Sequence, residues 1–220
     1  MVFNRTRSTR IILRINADKL LRLIINLLIG LILVIKNFFL LIFLPYKTIR
    51  KVCLKKDYYQ IGFIFLLVFV YFKFIYYLRD KPYPASLIFI IFLINFFLTS
   101  GFFYWLSWLF NKKIKYSSFL STLSYSLIPT LIWFLATSVF YILLPPPRTL
   151  SFLGKGFSIF FITFSLSLLV WKLILFYLSL RFSSKLGFYR IMYMIFLYLV
   201  WFLPYSILLY YLRLFRVPFI

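Results

Sequence analysis

Six long apolar runs dominate the chain, at residues 24–44, 61–78, 86–110, 119–144, 157–180 and 188–212. Each is far longer than a strand, and none alternates strictly between apolar and polar positions, so each predicts a helix. Runs near twenty apolar residues match a hydrocarbon core of roughly 30 Å, where an open sheet would leave backbone groups without partners. The pattern predicts an all-α polytopic membrane protein. Polar segments punctuate it: Lys81-Pro82-Tyr83-Pro84 reads as a tight turn, and Pro145-Pro146-Pro147 as a helix stop, because proline removes the donor a continuing helix needs. Tyr58, Tyr59, Trp105, Trp108, Tyr189 and Tyr210 fall near run ends, where amphipathic rings prefer the interface.

The run 24–44 differs from the rest. Residues 1–23 before it carry Arg5, Arg7, Arg10, Arg14, Lys19 and Arg22, and residues 45–60 after it carry Lys47, Arg50, Lys51, Lys55 and Lys56. Crossing the bilayer would translocate one of these basic flanks, against the usual bias. Lys19, Asn26, Gly30 and Asn37 recur near one helical face, a narrow polar stripe suited to a helix in the plane of the interface. The expectation is a basic N-terminal segment (1–60) whose amphipathic in-plane or re-entrant helix (24–44) precedes a five-helix transmembrane bundle (61–220). A six-span arrangement is the alternative. The apolar core is too long for a signal peptide, and no small-residue cleavage site follows it.

Charge sets the expected orientation. With five spans, the segments on one side carry five, three and three Lys or Arg (45–60, 111–116, 180–190), and those on the other carry two each (79–85, 145–156, 213–220). The richer side is cytoplasmic, which puts the N terminus inside and the C terminus outside. The 65% hydrophobic and 25% aromatic content and mean hydropathy of +1.01 exceed what a soluble domain hides, since average usage is about 45–50% apolar. The net charge of +23 sits in short clusters between apolar runs and not on one basic face, so it predicts anionic lipid headgroups as partner and not nucleic acid. Protein partners or a second copy of the chain are the other partners expected.

The missing residue types restrict chemistry further. There is no His and no Glu, and Asp18, Asp57 and Asp80 all lie outside the apolar runs. Intramembrane metalloprotease, Glu-dependent protease and Ser–His protease chemistry therefore lack their groups, as does carboxylate-based proton coupling. No cofactor, metal or catalytic residue is expected. Gly154-Lys155-Gly156 lacks the spacing of a phosphate loop. Cys53 is the single cysteine; a palmitoylated or free thiol and an incidental small residue are both open. Lys36 and Lys73 can snorkel to headgroups, whereas Lys172 lies deeper and is a functional candidate. Asn95, Ser121, Thr122, Ser124, Ser126, Ser165 and Ser167 suit interhelical hydrogen bonds. Pro129 and Pro204 should kink their helices.

From Tyr104-Trp105-Leu106, through a short Lys112–Tyr116 loop, the chain continues as Phe119-Leu120-Ser121-Thr122-Leu123-Ser124-Tyr125-Ser126-Leu127-Ile128-Pro129. With the basic N-terminal region, the stretch Pro45-Tyr46-Lys47-Thr48-Ile49-Arg50 and five close-set spans, this resembles the Yip family (Ypt/Rab-interacting membrane proteins). Tyr125, Ser126 and Pro129 fall on the family's Gly-Tyr-Ser/Ala-x-x-Pro element, with Ser124 in place of its glycine. The acidic N-terminal motif of eukaryotic members is absent, so the resemblance is to prokaryotic-type members. It implies a fold and topology and no settled activity, in the plasma membrane of a prokaryote or the Golgi or endoplasmic reticulum of a eukaryote. The function expected is non-enzymatic: protein interaction, or membrane organisation and trafficking. A small permease or membrane subunit of a transporter is the alternative.

Overall fold

The computed structural model describes residues 21, 25–55, 57–78, 85–143 and 152–212. Regular structure among them is entirely helical: α1 (Ile25–Phe43), α2 (Pro45–Lys55), α3 (Tyr58–Leu78), α4 (Ala85–Phe110), α5 (Tyr116–Tyr125), α6 (Ile128–Leu143), α7 (Phe152–Ser184) and α8 (Phe188–Tyr211). Six stretches are long and apolar enough to cross a bilayer: Ile25–Phe43, Tyr58–Ile75, Ala85–Phe110, Tyr116–Phe140, Gly154–Ser184 and Phe188–Tyr211. The chain is an all-helical, multi-pass membrane protein. The turns expected at 81–84 and 145–147, the basic segment 1–20, Asp18 and Asp80 lie outside the described residues.

Three departures from the sequence pattern have local causes. Residues 45–55 form a helix of their own, α2, which Pro45 opens; proline suits a first turn, where its missing N–H has no intrahelical role. The apolar run 119–144 is not one kinked helix. It breaks at Ser126–Leu127, so Pro129 sits in the first turn of α6. Lacking an N–H, Pro129 leaves the Tyr125 carbonyl without its usual donor, and the chain turns instead through Leu127 N–H bonded to the Ser124 carbonyl at 3.2 Å. Pro204, by contrast, stays inside an unbroken α8. Finally, α7 runs for 33 residues, about 50 Å at 1.5 Å per residue, because its polar ends extend the helix beyond the apolar run. It ends at Lys185, whose φ of 57° is left-handed, the usual way a helix closes although glycine suits it better.

Packing centres on α5, which touches α2, α3, α4 and α7. Half of the most apolar 18-residue window within Tyr116–Phe140 is buried, against 6% of the corresponding window within Gly154–Ser184, so α5–α6 is the interior element and the first part of α7 turns a long apolar wall outward, as Ile159 and Ile162 show. Around α5, α3 pairs with α4 and α6, α6 with α7, and α8 closes against α4 and α7. With lipid tails as apolar as leucine, such helices associate through close packing and interhelical hydrogen bonds.

Candidate functional site

The polar groups gather at the end of the molecule where α2, the start of α3, α5 and the end of α7 meet. Asp57 caps α3, its carboxylate accepting the Tyr59 N–H at 3.0 Å, as residues preceding a helix commonly do. Gln60 donates to the other Asp57 oxygen at 2.9 Å. The Gln60 carbonyl faces inward and accepts from the Tyr125 hydroxyl and, at 3.2 Å, from the Asn37 amide. Asn37 also donates to the Tyr125 hydroxyl at 2.9 Å. One hydrogen-bonded chain thus links α1, α3 and α5, with Asn37, Gln60 and Tyr125 all buried. A small open cleft lies above it, large enough for about one water. Leu33 and Ser121 line it, together with Lys51 and Lys55 of α2.

Beside this chain runs a hydroxyl seam between α5 and α7. The Thr122 and Ser183 hydroxyls lie 2.7 Å apart, Ser179 donates to the Thr122 carbonyl at 3.0 Å, and Ser183 to the Ser118 carbonyl at 3.1 Å. The small side chains let the two backbones approach while every hydroxyl keeps an acceptor, which suits helix contact in lipid. α2 lies across this seam: Thr48, Ile49, Val52 and Cys53 are buried while Lys47, Arg50, Lys51 and Lys55 are exposed. The Cys53 thiol faces the Phe182 carbonyl at 3.5 Å and is buried between α2 and the end of α7.

The residues singled out from the sequence are dispersed. Asn95 accepts from Tyr205 at 2.7 Å and joins α4 to α8, and Ser165 accepts from the Trp133 indole at 3.0 Å, joining α6 to α7. Ser121, Ser124, Ser126 and Ser167 instead donate to carbonyls of their own helices. Tyr125 and Ser126 sit at the α5–α6 break beside Pro129, while Lys172 is half-buried on α7, away from the cleft, and Pro204 lies on α8. Of the polar stripe expected on α1, Gly30 and Asn37 point inward, Asn26 is exposed and Lys19 lies outside the described residues, while Leu28, Ile32, Ile35 and Phe39 are exposed along the helix. Gln60 was not anticipated, although Asp57-Tyr58-Tyr59-Gln60 before an apolar run is a helix-start pattern. Among the described residues, Thr130 Oγ1 is the one buried side-chain oxygen or nitrogen without a partner, and no cluster of three or more His, Cys, Asp or Glu is present. No protein-family model, no curated protein and no solved structure matches the chain.

Proposed function

We propose that the chain is a non-enzymatic membrane protein of Yip-domain type that works by binding other proteins and organising the bilayer, with five spans and its N terminus in the cytoplasm. The observation that carries this reading is the fate of the polar side chains. Asn37, Gln60, Tyr125, Asn95, Thr122 and Ser183 bond to one another or to neighbouring helices, which uses them as interhelical ties. Among the surfaces left outward are the basic face of α2 and the apolar wall of α7, suited to contacts with lipid and protein. The Yip-like stretch coincides with the end of α4, the 111–115 loop, α5 and the break before Pro129, and α5 and the break belong to the most buried stretch of the bundle.

Two features support five spans. α2 has the one-sided burial of an interfacial helix, basic outward and apolar inward, so the in-plane role expected at 24–44 is better filled at 45–55. α1 meets the start of α3 at two points: a Cβ on Gly30 would lie 3.1 Å from the Tyr59 Cβ, and Asn37 bonds Gln60. Gly30 and Asn37 are about 10 Å apart along the helix axis, yet both reach one turn of α3. A sixth span lying antiparallel beside α3 would spread these contacts over about two turns. Lys112 over the Trp108 ring at 6.0 Å and Arg190 over the Phe110 ring at 5.7 Å form a cation–aromatic belt at the same end, as at a cytoplasmic interface.

A photo-crosslinker at Arg50, followed by purification and mass spectrometry, tests the reading. A defined protein partner recovered in near-stoichiometric yield supports it, and recovery of lipid adducts alone sinks the protein-interaction half. The break between α5 and α6 favours a second reading, a small permease or transporter subunit, since discontinuous helices build transport sites. Solute flux in proteoliposomes containing only this chain would establish that alternative.

A further inference from the structure

We propose that the mouth of the cleft between α1, α2 and α3 binds the phosphate of an anionic lipid headgroup, with Lys51 and Lys55 as its two cationic contacts. The inference rests on the interfacial placement of α2 given above. Lys51 and Lys55 are four residues apart and so share one face of α2, and both line the cleft. The floor is already closed: Asn37 and Tyr125 direct their donors to Gln60 and to each other. That leaves the two ammonium groups to recognise a ligand at the mouth. Asp57 also lines the cleft and opposes an anion, but both of its oxygens are engaged, one by the Tyr59 N–H and one by Gln60, which disperses its charge. Leu33 forms part of the wall, and Ile29 and Ile32 continue outward from it exposed on α1. A cationic mouth continuous with an exposed apolar helix face fits a phospholipid, whose acyl chains would follow α1, better than a soluble phosphate.

The full-length protein in detergent micelles, titrated with dioleoylphosphatidylglycerol or dioleoylphosphatidylcholine and read by native mass spectrometry, tests this independently of topology. Expected is one tightly held phosphatidylglycerol per chain, with preference over phosphatidylcholine. The Lys51→Ala/Lys55→Ala variant should weaken it about thirtyfold, and Lys47→Ala/Arg50→Ala, on the rest of the α2 basic face, should change it no more than about twofold. Asp57→Asn retains a helix-capping side chain and should tighten binding about threefold. Unchanged binding in the Lys51/Lys55 variant, or an equal loss in the Lys47/Arg50 variant, would overturn the site in favour of diffuse surface charge. Weakening by Asp57→Asn would overturn the anion. Displacement by inorganic phosphate at the lipid's own concentration would overturn the lipid and identify a soluble anion as the ligand. Failure of all of these would leave the protein-interaction reading and the five-span topology standing, because neither depends on lipid affinity.

Discussion

The two ends of the bundle are built from different materials. At one, α5 and the end of α7 are joined through Ser118, Thr122, Ser179 and Ser183, all buried, with hydrogen bonds fixing their register, and α2 packs across both. At the other, α3, α4, α6 and the start of α7 meet through rings: Tyr71 stacks on Phe134 at 4.6 Å, Phe69 meets Phe89 edge-on at 5.0 Å, and Phe140 packs against Phe157 at 5.2 Å. Hydroxyl seams need small residues and exact partners, so they admit few substitutions. Ring clusters hold by area and adjust, and lipid can fill what they vacate. The polar end should therefore be the fixed platform that carries the basic helix, and the aromatic end the adaptable one.

The largest effect that sharpens this contrast is expected from Ser183→Leu. It forces a branched side chain between α5 and α7 and removes the partner of Thr122, for a loss of about 3 kcal/mol in unfolding free energy measured in bicelles. Tyr125→Phe removes only the hydroxyl that joins Asn37 to Gln60 and should cost about 1.5 kcal/mol, near the upper end for interhelical bonds. Phe140→Leu at the aromatic end should cost no more than about 1 kcal/mol. A Phe140→Leu penalty above that of Ser183→Leu would break the comparison. The smallest effect has the opposite sign: Lys185→Gly relieves a left-handed backbone at the end of α7 and should raise stability by about 0.5 kcal/mol, read as a higher thermal midpoint in detergent.

Much of the architecture was legible in the apolar runs, because in a bilayer the backbone leaves helices as the available form and twenty residues set the span. The run 188–212 and the helix Phe188–Tyr211 nearly coincide for that reason. What stayed hidden depended on partners distant in sequence. Periodicity placed Gly30 and Asn37 on one face of α1, but it cannot say whether a polar face meets water or a tyrosine 88 residues away. Residues 45–55 read as a basic segment because four cations mask the four buried positions that make α2 a helix against the seam. The α5–α6 break was obscured by its own composition, since Leu127 and Ile128 carry the apolar run straight across the turn. Gln60, counted with the polar flank of its span, could have been found through its spacing from Asp57.

The claim that organises the rest is that α1 and α2 stay on the side of the membrane where the polar end lies. Single cysteines in a Cys53→Ser background test it directly, probed in intact cells with an impermeant thiol reagent and again after permeabilisation. Ser8→Cys and Lys51→Cys should both react only after permeabilisation, while Tyr83→Cys reacts in intact cells. Labelling of Ser8→Cys in intact cells, with Lys51→Cys still protected, would mean that α1 crosses the bilayer, that the spans number six, and that the cytoplasmic platform described for the N-terminal region is wrong.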